Sequence, residues 1–315
     1  MRVALRAGAA GALAAAFAVP LLRRLPELAD ELLVISTPDR PAGRGLKPHP
    51  SPVADAARAR GLHLETPERL RSDEGRSVVL DFAPDGILLA SYGQLVPREI
   101  LDAAPRRPLN VHPSLLPRHR GAAPVAATIL AGDTVGGVTL MVMTPQLDAG
   151  PIVAQWPVTL DGRESTPDLT RRLAQLAADE VPAELQHWAD GELAVIPQDE
   201  GAATLAPSFR REDGWIEWSR PAAAIDRQVR ALQPWPGAWT TLDGRRLHIR
   251  GARPVAGVSG VPMGVVLPGE PPRVATGSGA LELELVQPEG RPAMPASDWR
   301  RGQRDNLLLG TSAPD

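Results

Sequence analysis

Three residues of this 315-residue chain have types and spacing suited to acyl chemistry: Asn110, His112 and Asp148. The first two lie in "PLNVHPSLLPRHRGAAP" (108–124), where "LNVH" reads as the end of a buried strand. In a strand, residues two apart face the same way, so Asn110 and His112 project together. An asparagine amide is a donor suited to a carbonyl oxygen that gains negative charge. An imidazole near neutrality can donate, accept or carry charge. Such a pair calls for a carboxylate that fixes the ring's tautomer. Asp148, in "QLDAGPI", lies in a tight loop between two predicted strands and is the candidate. Residue types alone leave open a satisfied buried Asn–His pair and an ordinary turn aspartate.

These residues need a frame. The first 190 residues alternate short apolar runs with helix-like segments. Val3–Leu5, Leu32–Ser36, Gly86–Ala90 and Leu109–His112 read as buried strands, and Val53–Arg60 and Ser72–Phe82 as helices. That alternation predicts βαβ units and a parallel sheet. Open α/β sheets hold ligands outside the carboxyl ends of their strands, which is where Asn110 and His112 fall. "GVTLMVMT" (137–144) and "GPIVAQWPV" (150–158) read as a later strand pair. Pro167–Asp190 reads as a long amphipathic helix capped by Thr166. "GELAVIPQDEGAATLA" (191–206) breaks the pattern and reads as a linker. Beyond it come "WIEWS", "WTTLDGRRLHIRGA", "MGVVLPG" and "RVATGSGALELELVQP", with one helix inserted after Ser219. Asp243-Gly244 marks a hairpin turn, and a small β-barrel is the natural closure. The expected domains are therefore 1–190, a linker at 191–206, and a β-barrel at 207–315.

Composition sets limits. Cysteine is absent, which excludes disulfides and thiolate metal sites and fits a reducing, cytoplasmic setting. The net charge of −3 is not that of a basic nucleic-acid binder. Residues 207–315 nevertheless carry 14 arginines against 12 acids, so the last third is the better partner for a polyanion. Lys47 is the sole lysine. "MRVALRAGAAGALAAAFAVPLLRRL" has the outline of a signal peptide, but reads better as a first strand, a glycine turn and an alanine-rich helix. His49, His63, His187 and His248 have no partner at ligand spacing, so no metal is expected. No apolar interface stripe stands out, and a monomer that does not engage membranes is expected.

"NVHPSLLPRHRGAAP" followed by "LDAG" resembles the folate-dependent formyltransferases, which use Asn, His and Asp in this order. The resemblance implies a Rossmann-like, parallel-rich catalytic domain followed by a small OB-like β-barrel. It implies that Asn110, His112 and Asp148 are catalytic and that 10-formyltetrahydrofolate is the co-substrate. Ser114, Leu115, Leu116 and Pro117 would line the folate site, as would Ser91, Tyr92 and Gly93 of "LLASYGQLVP" (88–97). "TPDRPAGRGLKPHPSPV" (37–53) is similar to the loop by which the methionyl-tRNA branch of the family meets the acceptor arm. Arg40, Arg44 and Lys47 of that loop would contact tRNA, with Arg210 and Arg211 of the barrel domain; without the resemblance the loop reads as solvated surface.

The sequence also departs from the family pattern. "RAGAAGALAAAF" stands where the family has a Gly-Thr/Ser-Pro-acid-Phe turn, Ser91 stands where Ala is usual, and His119 stands where Trp or Tyr is common. Gln146 and Ala149 replace the usual Gly and Thr, and "LAPSFRREDG" lacks a usual lysine. The leading expectation is formyl transfer to the α-amine of initiator methionyl-tRNA. The alternatives are a formyltransferase for an amino sugar nucleotide, a formyl-folate hydrolase, and a non-catalytic folate- or RNA-binding paralogue.

Overall fold

The computed structural model of the chain describes residues 1–7, 12–42, 47–91, 96–257, 260–304 and 307–310; of the side chains in those spans, it leaves out those of residues 6–7, 12–15, 42 and 47. Two compact units emerge. The first comprises Met1–Pro124, Val135–Thr159 and Asp168–Pro207, and the second Val125–Thr134, Leu160–Pro167 and Ser208–Asp315.

The strands of the first unit are β1 (Arg2–Ala7), β2 (Glu31–Ile35), β3 (Arg40–Ala42), β4 (Lys47–His49), β5 (His63–Glu65), β6 (Gly86–Ala90), β7 (Leu109–His112), β8 (Arg120–Gly121), β9 (Val135–Val142), β10 (Ile152–Thr159) and β11 (Leu205–Ala206). The helices along the same stretch are α1 (Ala12–Leu22), α2 (Pro52–Ala59), α3 (Asp73–Phe82), α4 (Arg98–Leu101), α5 (Pro124–Ala131) and α6 (Thr166–Asp190).

The main sheet runs β10-β9-β7-β6-β1-β2-β5. Its five strands from β5 to β7 are parallel, and β9 and β10 close one edge antiparallel. The continuous apolar runs of β2 and β6 are those of strands covered on both faces. The chain leaves β1 for β2 on one side and returns with β6 on the other. The carboxyl ends of β1 and β6 thus bound the switch point where such sheets hold ligands. β1, the stretch with a signal-peptide outline, sits in the middle of this sheet.

Local chemistry explains the helix starts. Ser51 caps α2, accepting the amide of Ala54 at 3.0 Å, with Pro52 at the first helical position. Ser72 caps α3 through the amide of Gly75 at 3.2 Å. Thr166 departs from the expected cap. Helix α6 already includes it, and its hydroxyl donates instead to the carbonyl of Ala231 at 2.6 Å. Gly86 owes its identity to close packing, since a Cβ there would stand 2.1 Å from the ring of Trp188. The buried indole of Trp188 is itself fixed by donating to the carbonyl of Arg107 at 2.9 Å.

In the second unit, β12 (Ala238–Leu242), β13 (Arg245–Val255), β14 (Val266–Leu267), β15 (Arg273–Ala275), β16 (Ala280–Pro288) and β17 (Met294–Pro295) form one antiparallel sheet, with α7 (Ala222–Ala231) and α8 (Ala296–Arg301) beside it. The sheet is curled, in keeping with an OB-like barrel. Irregular register between β13 and β16 at Ile249, Gly251 and Ala252 supplies a bend. Asp243 and Gly244, both at positive φ, make the expected two-residue turn between β12 and β13. "WIEWS" is not a strand. Ile216 and Trp218 face the core, but pairing is limited to an isolated bridge between Trp215 and Trp239, because the chain turns at Glu217–Arg220.

Along β13 the residues that alternate with the core-facing Leu247 and Ile249 are basic: Arg246, His248 and Arg250. The Nδ1 atom of His248 is buried and makes no hydrogen bond. Burial first, then the charges of Arg250, Arg246 and Arg211, push its pKa down to about 4. An unfolded chain takes up this proton as pH falls through about 6.5, while the folded chain waits until about 4. The unfolded state therefore holds more protons between those values, and stability falls as pH drops through that window. His248→Gln is expected to flatten this part of the stability profile, measured by denaturant unfolding between pH 4 and 6.5; an unchanged slope would contradict the assignment.

Candidate active site

Strand β7 alternates as its sequence dictates. Leu109 and Val111 are fully buried, while Asn110 and His112 share the other face at the carboxyl end. The amide of Asn110 is half-buried and has no hydrogen-bond partner among the described residues. His112 is 4% exposed. Its Nε2 lies 3.0 Å from the carbonyl oxygen of His119, an atom that can only accept, so Nε2 carries a proton. Nδ1 is the nitrogen left for proton exchange, and it faces Asp148 Oδ2 at 3.7 Å. That gap exceeds a hydrogen bond but is within the range of an ion pair.

Asp148 adopts a left-handed backbone, φ 48°, and its Oδ2 accepts the amide of Gly121 at 2.8 Å. Gly121 has φ 124°, and a Cβ there would stand 2.6 Å from the carbonyl oxygen of Ala206. Only glycine fits that backbone at that separation. The sequence thus brings the two carrier loops, 118–121 and 147–150, together on a single backbone donor.

The "SLLP" turn is held by side chains from the neighbouring strands. Thr139 Oγ1, on β9, donates to the carbonyl of Ser114 at 2.6 Å and accepts the amide of Leu116 at 3.1 Å. Gln155, on β10, donates to the carbonyl of Leu116 at 2.8 Å and to Thr139 Oγ1 at 3.0 Å. The Ser114 hydroxyl donates to the carbonyl of Arg118 at 2.7 Å, so it serves the turn itself. Leu116 is buried, and Leu115 and Pro117 are half-buried. Ser91 follows β6 at φ 56°, half-buried. Tyr92 and Gly93 lie outside the described residues.

The segment 191–206, read from sequence as a linker, is tied into the same site. Ile196 bridges Ile152, and β11 pairs in parallel with β8. The Arg120 amide donates to the carbonyl of Thr204 at 2.8 Å, and the His119 amide to its hydroxyl at 2.8 Å. Arg120, a buried guanidinium, is bonded by Glu200 at 2.8 and 2.9 Å and by Gln198 at 2.8 and 3.1 Å. The bond to Glu200 raises the Arg120 pKa against the opposing effect of burial, and lowers that of Glu200. Sequence reasoning passed over Thr139, Gln155, Arg120, Gln198, Glu200 and Thr204. The available signal was polar residues inside apolar strands ("VTL", "VAQW") and a lone buried-type arginine before a glycine.

The expected tRNA contacts fall in both units. Arg40 is exposed and pairs with Glu68 at 3.4 Å. Arg44 and the side chain of Lys47 lie outside the described residues. Arg210 and Arg211 are exposed in the second unit, where Arg246 stacks on Trp239 at 4.2 Å. Among the described residues no cluster of His, Asp and Glu suits a metal ion, and no helix is long and apolar enough to cross a membrane.

Residues 3–185 match the profile described as "Formyl transferase", and residues 209–304 that of "Formyl transferase, C-terminal domain". The chain is 42% identical over 298 residues to the Methionyl-tRNA formyltransferase of Solibacter usitatus, covering 94% of this chain and 96% of that one. It is 46% identical over 273 residues to that of Roseiflexus castenholzii, covering 86% and 87%.

The chain belongs to the methionyl-tRNA formyltransferase family.

Among solved structures, this formyltransferase shares its fold with WlaRD, a sugar 3N-formyl transferase (TM-score 0.68, 14% identity, 93% of this chain and 99% of that one). It also resembles HypX from Aquifex aeolicus in complex with tetrahydrofolic acid (TM-score 0.63, 20% identity), covering 98% of this chain. It spans half of the HypX chain.

Thr139 is the hub of the turn in this formyltransferase. Thr139→Val keeps the shape but strands the amide of Leu116 and the carbonyl of Ser114, while Gln155 keeps its bond to the Leu116 carbonyl. A loss of about 1–3 kcal/mol is expected for each group left unsatisfied. Thr139→Ser, which keeps the hydroxyl, should stay near wild type in urea unfolding; equal losses in both variants would argue against the hydroxyl's role.

Proposed function

We propose that this chain transfers the formyl group of 10-formyltetrahydrofolate to the α-amino group of initiator methionyl-tRNA. The observation that carries the reading is the shared face of Asn110 and His112 with Asp148 opposite, in a chain 42–46% identical to methionyl-tRNA formyltransferases over most of its length. Both folate and tRNA are substrates of this reaction. The donor set fits the formyl group: the Asn110 amide has no partner among the described residues, and a carbonyl oxygen that gains charge needs a donor fixed in advance.

In this reading the neutral α-amine attacks the formyl carbon, forming a new C–N bond. Asn110 donates to the formyl oxygen as negative charge builds there. His112, with Nε2 committed to the His119 carbonyl, uses Nδ1 for the proton it holds or moves. Asp148 faces Nδ1 and orients the ring. The bond from the formyl carbon to N10 of the folate then breaks, and N10 takes the proton that the amine gives up. The 3.7 Å between His112 Nδ1 and Asp148 Oδ2 is a separation that the reaction can tighten into a hydrogen bond. Ser114–Pro117 and Ser91–Gly93 are proposed to line the folate site. Arg40, Arg44, Lys47, Arg210 and Arg211 are proposed to meet the tRNA phosphates, as arginine-rich surfaces do. The second unit is the proposed tRNA-holding domain.

Purified protein given 10-formyltetrahydrofolate should formylate charged initiator tRNA and leave an amino sugar nucleotide untouched when the two are assayed in parallel. Formylation of the sugar alone would replace the reading, and folate binding without turnover on either amine would reduce the chain to a binding protein. Asn110→Ala should lower kcat by about 10²–10³, the effect of losing one oxyanion donor. Wild-type turnover in that variant would remove Asn110 from the mechanism.

A further inference from the structure

Gln198 joins the two loops that carry the site. Its Nε2 donates to the carbonyl of Asp148 at 2.9 Å and to that of Gly150 at 2.7 Å. Its Oε1 accepts from Arg120 Nε at 3.1 Å and Nη2 at 2.8 Å. The orientation of the amide is unambiguous, because a guanidinium only donates and a carbonyl only accepts. Each end of the side chain serves one loop: the nitrogen holds 148–150 and the oxygen holds 120. Arg120 is in turn fixed by Glu200, two residues along the same segment.

Asp148 needs such a hold. Its φ of 48° is unfavourable for a non-glycine residue, and no strand ladder runs through the loop to impose it. Among the described residues the carboxylate has one backbone donor, Gly121, which sits beside Arg120. A displacement of either loop would change the separation of Asp148 and His112, which is already 3.7 Å.

We propose that Gln198 is a positioning residue for the reaction. It sets the distance between Asp148 and His112 by clipping the 148–150 loop to Arg120, without touching either substrate. The proposal rests on the formyl-transfer reading above for its kinetic part only. It also assigns work to the segment 196–206, which leads directly into the second unit at Ser208.

The test uses the full chain with Gln198→Met, which removes both sets of bonds at similar volume, and Gln198→Glu. The glutamate can still accept from Arg120 but cannot donate to the two carbonyls. Hydrogen exchange should show lost protection at the Gly121 amide, which donates to Asp148, and at the Val142 amide, which donates to the carbonyl of Pro151, in both variants, with the rest of the sheet unchanged. With methionyl-tRNA and 10-formyltetrahydrofolate, kcat should fall by up to about 10², the effect of a misplacement near 1 Å, while KM for both substrates stays within about twofold. Retained protection at both loops, or kcat at wild type, would overturn the proposal. A raised KM at intact kcat would also overturn it, since Gln198 would then be holding a substrate. If Gln198→Met does not fold, the glutamate variant decides alone. If the wild type fails to formylate methionyl-tRNA, the formylation reading is lost, and hydrogen exchange by itself decides whether Gln198 is the clip.

Discussion

The hydrogen bond from the Gly121 amide to the Asp148 carboxylate, at 2.8 Å, is the contact through which the site is assembled. It joins two loops that are distant in sequence and fixes the carboxylate opposite His112. Its geometry demands a glycine at 121, because Ala206 runs too close for a side chain. It also demands that residue 148 accept a left-handed backbone. A carboxylate bonded to a backbone amide is among the stronger neutral–ionic hydrogen bonds, which suits a joint that must hold while substrates come and go.

Around that joint, the irregular backbone is satisfied by side chains rather than by a ladder. Buried amides and carbonyls must find partners, and loops beside a sheet end have few of their own. Thr139 and Gln155 serve the "SLLP" turn, and Gln198, Arg120 and Thr204 serve the two carrier loops. The polar residues that look out of place in β9, β10 and the 191–206 segment are therefore where the precision of the site originates. The parallel sheet supplies the rigid platform. β7 ends beside the switch point between β1 and β6, so Asn110 and His112 emerge where a ligand can reach them.

Much of this was legible in the chain. The parallel strands betray themselves as apolar runs such as "GILLA", the helices by period, and the β12–β13 turn by Asp243-Gly244. Asn110 and His112 on one face follow from strand geometry alone, but pairing them with Asp148 needed either the family resemblance or the fold. What could not be read is long-range side-chain bonding. Nothing in the spacing of "PQDEGAATLA" says that its glutamine reaches two carbonyls 48 and 50 residues earlier. Polar, glycine-containing stretches look alike whether solvated or clipped onto a site. Thr166 misled for a similar reason: a threonine ahead of proline is a good cap, but here a distant carbonyl claims its hydroxyl. "WIEWS" misled because alternation reports burial, and burial came without strand pairing.

The central claim is that His112 and Asp148 act as one unit in formyl transfer. A double-mutant cycle in single-turnover formylation of methionyl-tRNA measures this directly. Residues that act together are strongly non-additive, so His112→Asn combined with Asp148→Asn should be about as slow as the worse single variant. Losses that multiply, with the double variant slower by the product of the two single effects, would contradict the account.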